Sequence, residues 1–145
     1  MEYRTLGSSG LKVSVIGLGA NTFGATAEEA GSIEVIRTAI DLGVNYIDTA
    51  NVYSFGTSEE YVGKAIKGLR HNLVIGTKVG MTMSDRPNDS GLSRGHIMKS
   101  AEASLRRLGT DYIDLYQAHR FDAETPMDET LRAFDDLVQI GRAHV

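Results

Sequence analysis

The stretch Tyr112-Ile113-Asp114-Leu115-Tyr116-Gln117-Ala118-His119 decides the fold, because it is a mostly apolar run that ends in a histidine. Its β-branched and aromatic residues predict a fully buried strand over Tyr112–Ala118. Earlier in the chain, a strand predicted over Leu73–Thr77 is followed by Lys78, and one predicted over Asn45–Asp48 ends in an aspartate. Each of these predicted strands therefore finishes at a polar side chain that can carry charge.

Segments with helical periodicity alternate with these strands from the N-terminus onwards. Gly7–Gly10 lies between two short strand-like segments, which predicts a hairpin. The apolar segment Val13–Leu18 then predicts the first strand of a sheet, and a helix is predicted over about Glu28–Leu42. Isoleucines recur on one face of this helix, and Gly43 is placed to end it.

The starts of the helices are predicted from capping residues. Thr26 with Glu29, and Thr57 with Glu60, have the spacing of capping boxes, so the second helix is expected to begin near Ser58.

The second half of the chain continues the alternation. After a polar loop over Met81–Gly91, Ser93 is predicted to cap a helix that runs to about Leu108. Thr125-Pro126 is predicted to open a final helix, with Pro126 at its first helical position. The residues of that helix expected to face inward are Leu131, Phe134, Leu137 and Val138.

Strands and helices that alternate at this spacing predict parallel β-α-β units, and two architectures contain such units. One is a doubly wound open sheet, and the other is half of an eight-stranded (β/α)8 barrel. Gly17 and Gly19 form a G-x-G after the first strand, but Gly24 does not have the spacing of the third glycine in a dinucleotide-binding loop. Asp48 could be the ribose-binding acid of the open sheet. The glycines alone therefore leave both architectures open.

Composition limits the classes of function. The 145 residues, of which 41% are hydrophobic, suffice for one globular domain. The net charge of -4 and the lack of a basic run argue against nucleic-acid and membrane-surface partners. The chain has no cysteine for disulfides or thiolate metal sites. Met1–Arg4 lacks the apolar stretch of a signal peptide, and no later run is long enough to span a membrane, so we expect a cytoplasmic protein. We also expect no bound metal.

The polar residues at the strand ends are the candidate site. In a parallel barrel the carboxyl ends of all strands meet at one face, so Asp48, Lys78 and His119 become neighbours, together with Tyr53 from the loop after the second strand. Each has an ordinary structural explanation when it is taken alone. Asp48 could cap a turn and Tyr53 could be a packed loop aromatic. Lys78 could be a solvated strand end and His119 a hydrogen-bonded structural histidine. At successive strand ends, the combination points to chemistry.

Together these side chains make a coherent set for acid catalysis. A phenol is a poor proton donor at neutral pH, because its unperturbed pKa is about 10, and an adjacent ammonium favours the phenolate. Lys78 can supply that ammonium if Asp48 holds it in place. An N–H group of His119 can orient a carbonyl oxygen beside Tyr53, so the set can protonate an oxygen while a hydride reaches the adjacent carbon.

These residues lie in motifs that resemble the aldo-keto reductase family. Asp48-Thr49-Ala50-Asn51-Val52-Tyr53 is similar to the family signature, with Ser58-Glu59 in the expected place after it. Ile75-Gly76-Thr77-Lys78 resembles the strand that bears the family's lysine, and Tyr112–His119 resembles the strand that ends in its histidine. Gly17–Gly24 resembles the first barrel loop. With the hairpin before it included, the resemblance covers the whole chain.

The resemblance implies a (β/α)8 TIM barrel and an oxidoreductase that reduces aldehydes or ketones with NADPH, or alternatively NADH. Tyr53 would be the general acid, Lys78 and Asp48 the pair that tunes it, and His119 the residue that orients the carbonyl. The positions that match family contacts to the nicotinamide end of the cofactor are Ala20, Asn21 and Asp48.

Two features depart from the family pattern. Ser54 stands where a glycine commonly follows the tyrosine, and Gly141–Val145 resembles the lead-in to the fifth barrel strand. The resemblance thus implies that the family's carboxamide-holding Ser-Asn pair, pyrophosphate loop and 2′-phosphate-binding residue lie beyond Val145. We expect residues 1–145 to be one partial domain of about four βα units, inactive alone and prone to self-association. The rival hypothesis is a non-catalytic nucleotide-binding or regulatory protein, like the family's channel-associated members.

Overall fold

The computed structural model describes residues 1–143 and contains a hairpin followed by alternating strands and helices. Short 3-10 turns occupy Tyr53–Gly56 and Arg70–Asn72. In chain order the elements are β1 (Tyr3–Thr5), β2 (Lys12–Ser14), β3 (Leu18–Gly19), α1 (Glu29–Asp41), β4 (Tyr46–Asp48), α2 (Thr57–Ala65), β5 (Val74–Val79), α3 (Arg94–Leu108), β6 (Leu115–Ala118) and α4 (Met127–Gln139).

The strands fall into two sheets. β1 and β2 pair antiparallel, as predicted for a hairpin around Gly7–Gly10. β3, β4, β5 and β6 form one parallel sheet in chain order, and a helix follows each strand. Because each helix returns the chain to the same edge, all strand carboxyl ends lie together at the opposite edge. This arrangement is the βα repeat that the barrel prediction requires.

The sheet has one face against the helices and one face in what would be the barrel interior. Ile47, Ile75 and Tyr116 point to the helices and are fully buried. Burial of a large apolar side chain contributes about 1.5–3 kcal/mol, so this layer holds the sheet against the helices. The helical side chains that complete the layer include Ile36, Val62, Ile97, Leu108, Phe134 and Leu137. None of the helices within residues 1–143 has both the length and the apolar character needed to cross a membrane.

The predicted first strand, Val13–Leu18, is wrong as one element. Its beginning belongs to β2 of the hairpin, and only its end belongs to β3 of the parallel sheet. The Ser14 hydroxyl donates to the carbonyl of Ile16 at 2.7 Å, and the Ser14 amide donates to Asn45 Oδ1 at 2.6 Å. These local hydrogen bonds turn the chain between the two sheets, where the apolar pattern alone predicted continuity.

The two predicted capping boxes are also wrong. The carboxylate of Glu29 binds the ammonium of Lys64 at 2.8 Å, and no side chain caps α1. Thr57 is itself the first residue of α2, because the preceding 3-10 turn leads directly into the helix through Gly56. By contrast, the predicted cap at Ser93 is confirmed: its hydroxyl accepts the amide of His96 at 3.3 Å.

The last strand and the last helix differ from prediction in burial. β6 begins at Leu115 and is only partly buried, because its interior face lies open in the described residues.

Pro126 precedes α4 and does not occupy its first helical position. Leu131 is 59% exposed and was wrongly predicted to face inward. The buried stripe of α4 consists of Thr130, Ala133, Phe134 and Leu137, which recur at helical spacing and leave Leu131 outside.

Candidate active site

The carboxyl ends of β4 and β5 hold an ion pair. Asp48 is the last residue of β4, whereas β5 continues to Val79, so Lys78 lies within the strand and not after it. The Lys78 ammonium donates to Oδ2 of Asp48 at 2.6 Å and to the backbone carbonyl of Thr49 at 2.8 Å. The two side chains are only 14% and 29% exposed, so solvent weakens their attraction less than it weakens a surface pair.

Tyr53 and His119 lie beside this ion pair. The ammonium of Lys78 is 5.2 Å from the centroid of the Tyr53 ring. His119, which directly follows β6, meets the Tyr53 ring edge-on, with centroids 5.6 Å apart and ring planes at 82°. The structure therefore brings Asp48, Lys78 and His119 together with Tyr53 of the loop after β4, as the barrel topology predicted. The open-sheet alternative, which predicted no clustering of Tyr53 with Lys78, is wrong.

The loop that carries Tyr53 has an unusual backbone. Ser54 and Phe55 adopt φ angles of 49° and 50°, in the left-handed region that favours glycine. A glycine, which the family resemblance implies at position 54, adopts this conformation without strain. Here the hydroxyl of Ser54 donates to the carbonyl of Phe23 at 3.1 Å, which ties the strained turn to the loop after β3. The departure at Ser54 is thus accommodated by a hydrogen bond that glycine could not make.

A buried ion pair fixes the helix that follows this loop. The side chain of Glu59 is fully buried at the start of α2. One of its oxygens accepts the hydroxyl of Thr77 at 2.6 Å, and the other accepts Nε of Arg107 at 2.6 Å. Glu59 therefore connects α2 to β5, one residue before Lys78, and to α3. The sequence identified Ser58-Glu59 as part of the motif but did not reveal these partners.

We expect Glu59→Ala to lower the free energy of unfolding of the complete barrel by about 3–5 kcal/mol, because it leaves Arg107 partly buried without its partner. Chemical denaturation followed by circular dichroism measures this change. The matched control is Glu102→Ala, which removes an exposed carboxylate 3.8 Å from Arg106 and should have little effect. Equal stability of the two variants would contradict a structural role for the buried pair.

Tyr46 is a site neighbour that the sequence analysis missed. Its hydroxyl donates to Oδ1 of Asp48 at 3.3 Å. Burial, with a further contribution from the Asp48 carboxylate, raises the pKa of Tyr46 to about 12. The signal for this contact was present in the sequence, since residues two apart on a strand share a face.

His119 lies in surroundings that disfavour its charged form. Burial and then the ammonium of Lys78 lower the pKa of His119 from its ordinary value, with Arg120 acting in the same direction and Asp48 against it. Nδ1 of His119 is buried and has no hydrogen-bond partner within the part of the chain that the structure describes. These surroundings favour the neutral imidazole, which carries one N–H.

We expect the NMR titration midpoint of the His119 ring to lie below about pH 6.5, the ordinary value for histidine. Because folding lowers this pKa, the associated stability is fully present above the unfolded-state pKa and is lost as the pH falls through the folded-state pKa. His119→Asn serves to assign the signal. A midpoint at or above the ordinary value would show that burial and Lys78 do not control the charge of this ring.

The residues predicted to contact a nicotinamide cofactor differ in how exposed they are to solvent. Ala20 is fully buried, its amide donates to the carbonyl of Asp48 at 2.9 Å, and its own carbonyl accepts the hydroxyl of Ser58 at 2.7 Å. Ala20 thus shapes the site floor, whereas Asn21 is exposed directly after it. Asn51 is 1% exposed, and neither polar atom of its amide has a partner among residues 1–143. An exposed amide and unpaired buried polar atoms fit a site that takes a polar ligand.

The parallel sheet, the helices on its outer face and the polar cluster at its carboxyl edge define a protein of the (β/α)8-barrel class. The chain belongs to the aldo/keto reductase family, whose family model matches residues 15–144. The family resemblance found in the motifs is therefore confirmed.

Individual relatives support the same assignment. The chain is 44% identical over 147 residues to a probable voltage-gated potassium channel subunit beta from Arabidopsis thaliana, covering 99% of this chain and 44% of that protein. It is 42% identical over 148 residues to the aldo-keto reductase YhdN from Bacillus subtilis, covering 98% of this chain and 45% of that protein. The chain therefore spans somewhat under half the length of these relatives.

A solved structure matches the fold. The holo form of the aldo-keto reductase AKR11C1 from Bacillus halodurans has a TM-score of 0.90 to this chain at 39% sequence identity. The match covers 99% of this chain and 48% of that one. The predicted fold class, a partial (β/α)8 barrel, is thereby confirmed.

Proposed function

We propose that the protein containing this chain is an oxidoreductase that reduces an aldehyde or a ketone to an alcohol. The observation that carries the proposal is the cluster of Asp48, Tyr53, Lys78 and His119 at the carboxyl edge of the sheet. This is the edge at which barrel enzymes carry their active sites. Similarity to a protein named an aldo-keto reductase, YhdN, supports the same reaction class.

In the proposed reaction Tyr53 transfers its hydroxyl proton to the carbonyl oxygen. The ammonium of Lys78 lies next to the Tyr53 ring and stabilises the negative charge that remains on the phenolate. Asp48 and the Thr49 carbonyl hold that ammonium in place. General acid catalysis of this kind contributes about a hundred- to ten-thousand-fold to a rate.

His119 orients the carbonyl in this proposal. A proton on Nδ1 would be a buried donor without an acceptor among the described residues, and such donors are costly. The neutral ring therefore favours the tautomer with its proton on Nε2, which leaves that N–H free for the carbonyl oxygen. The edge-on contact between the His119 and Tyr53 rings supports this role, because it keeps the two side chains next to each other.

NADPH, with NADH as the alternative, supplies the hydride to the carbonyl carbon when it is bound. Asn21 is the exposed candidate for a hydrogen bond to the nicotinamide end, and Asp48 lies beside it at the end of the neighbouring strand. The similarity to a structure titled as a holo form supports the proposal of a bound cofactor.

The test uses the complete barrel with NADPH or NADH and a panel of aldehydes and ketones of different sizes. We expect the absorbance of the reduced nicotinamide to fall in the presence of at least one class of carbonyl, with equimolar alcohol formed. Tight binding of the nucleotide without turnover over the whole panel would overturn the catalytic proposal.

That outcome would favour a second candidate, a nucleotide-binding regulatory subunit. The observation in its favour is the 44% identity to a protein named as a probable potassium channel subunit beta. The two candidates differ in a measurable way, because a regulatory protein requires nucleotide binding but no multiple turnover. Fluorescence titration with NADPH, combined with the carbonyl assay, separates them.

A further inference from the structure

We propose that Tyr46 is a positioning residue for carbonyl reduction: its hydroxyl fixes the Asp48 carboxylate in the orientation that presents Lys78 to Tyr53. This inference rests on the function proposed above. Tyr46 and Asp48 lie two residues apart on β4, so both side chains project into the barrel interior. The hydroxyl of Tyr46 donates to Oδ1 of Asp48 at 3.3 Å, while Oδ2 accepts the ammonium of Lys78 at 2.6 Å.

The two oxygens of the Asp48 carboxylate have different partners: Oδ1 accepts from Tyr46, and Oδ2 accepts from Lys78. A carboxylate bound at one oxygen only can rotate about its Cβ–Cγ bond, because the terminal torsion of aspartate is broad. A donor on Oδ1 restricts that rotation and keeps Oδ2 directed at Lys78. The Tyr46 hydroxyl also partly neutralises the negative charge of the carboxylate. The positive charge of Lys78 is then less fully compensated by Asp48 and lowers the pKa of Tyr53 more strongly in the proposed reaction.

Two glycines on the neighbouring chain segments make space for the Tyr46 ring. A Cβ atom at Gly17 would lie 2.7 Å from Cδ1 of Tyr46. A Cβ atom at Gly76, on β5, would lie 3.1 Å from the Tyr46 hydroxyl oxygen and 3.3 Å from Oδ1 of Asp48. Neither glycine has a φ in the left-handed region, so close approach and not backbone conformation explains them. Gly17 therefore leaves space for the ring of Tyr46, and Gly76 leaves space for its hydroxyl and the hydrogen bond to Asp48.

The protonation state of Tyr46 is suited to this task. With its pKa raised to about 12 by burial and by Asp48, the hydroxyl remains a donor throughout the pH range of an enzyme assay. Among the described residues, the charged groups beside Tyr46 on this face of the sheet are Asp48, to which it is hydrogen-bonded, and Lys78, which binds the other oxygen of Asp48. Tyr46 therefore does not act as a second acid beside Tyr53.

Tyr46→Phe in the complete barrel tests the proposal, since it removes only the hydroxyl. We expect kcat to fall about ten- to a hundredfold, in the range for loss of one hydrogen bond to a charged group, with little change in the KM for NADPH. The basic limb of the pH profile of kcat should move to higher pH, because the Lys78 charge would be more fully neutralised. The control is Tyr3→Phe, which removes a tyrosine hydrogen bond to the Gly43 carbonyl in the hairpin region and should leave the profile unchanged.

A second measurement does not depend on activity. The alkaline titration of the Tyr46 ring, followed by NMR with labelled tyrosine, should have its midpoint at about pH 12 and move to lower pH in Asp48→Asn. An unchanged Tyr46 titration in Asp48→Asn, or a Tyr46→Phe profile that superimposes on the wild type, would overturn the positioning role. If the wild type reduces no carbonyl, the proposed function fails, and the ring titration still decides the contact. If Tyr46→Phe matches the wild type while Tyr53→Phe is inactive, the proposed function stands and this inference fails.

Discussion

Replacement of Tyr53 by phenylalanine should depress turnover of the complete barrel by about a hundred- to ten-thousand-fold. The substitution keeps the ring, and with it the contacts to the Lys78 ammonium at 5.2 Å and to the His119 ring at 5.6 Å. It removes only the proton that we propose is given to the carbonyl oxygen. The affinity for NADPH should therefore change far less than kcat, and steady-state kinetics with direct nucleotide titration measure both quantities.

A matched control for this variant is Tyr112→Phe. Tyr112 lies before β6, towards the opposite edge of the sheet, where the guanidinium of Arg70 stacks on its ring at 3.9 Å. Loss of its hydroxyl should leave kcat close to the wild type. Near-normal carbonyl reduction by Tyr53→Phe, with NADPH consumption followed directly, would assign the acid role to another group.

The positions of Asp48, Lys78 and His119 could be predicted because they depend on topology, and Tyr53 follows Asp48 by five residues. In a parallel βα sheet, the last residue of each strand lies at one edge whatever the details of packing. Asp48 and His119 lie at strand ends, and an error of two residues in the end of β5 did not move Lys78 away from that edge. The apolar strands and their order were thus sufficient to predict the cluster.

The partners of these residues could not be predicted in the same way. Glu59 looks like any acidic residue in the first turn of a helix, yet its partner Arg107 is 48 positions away in the sequence. The separation of Val13–Leu18 into β2 and β3 depends on hydrogen bonds of Ser14 that have no periodic signature. Leu131 shows a further limit, because a leucine near the edge of a helical stripe can face outward without violating the pattern.

Residues 1–145 expressed alone should self-associate or remain partly molten and should show no measurable NADPH-dependent carbonyl reduction. The described sheet has β3 and β6 at its edges, whereas a closed barrel has no edges. Beyond β6 the described chain supplies only the pairing of Ala143 with Ile113. The interior face of the sheet, which includes Leu115 and Tyr46, would also lack its opposite wall.

Size-exclusion chromatography with light scattering measures the association, and near-ultraviolet circular dichroism reports the loss of fixed packing. If the open interior face drives association, Leu115→Lys should reduce it, because an inward charge blunts pairing of this strand. The matched control is Val35→Lys, which places the same charge on the exposed surface of α1 and should leave association unchanged. A rigid monomer that turns over carbonyls would show that neither barrel closure nor the other half of the site is required. If Leu115→Lys and Val35→Lys self-associate to the same extent, the surface through which the chains associate is not β6.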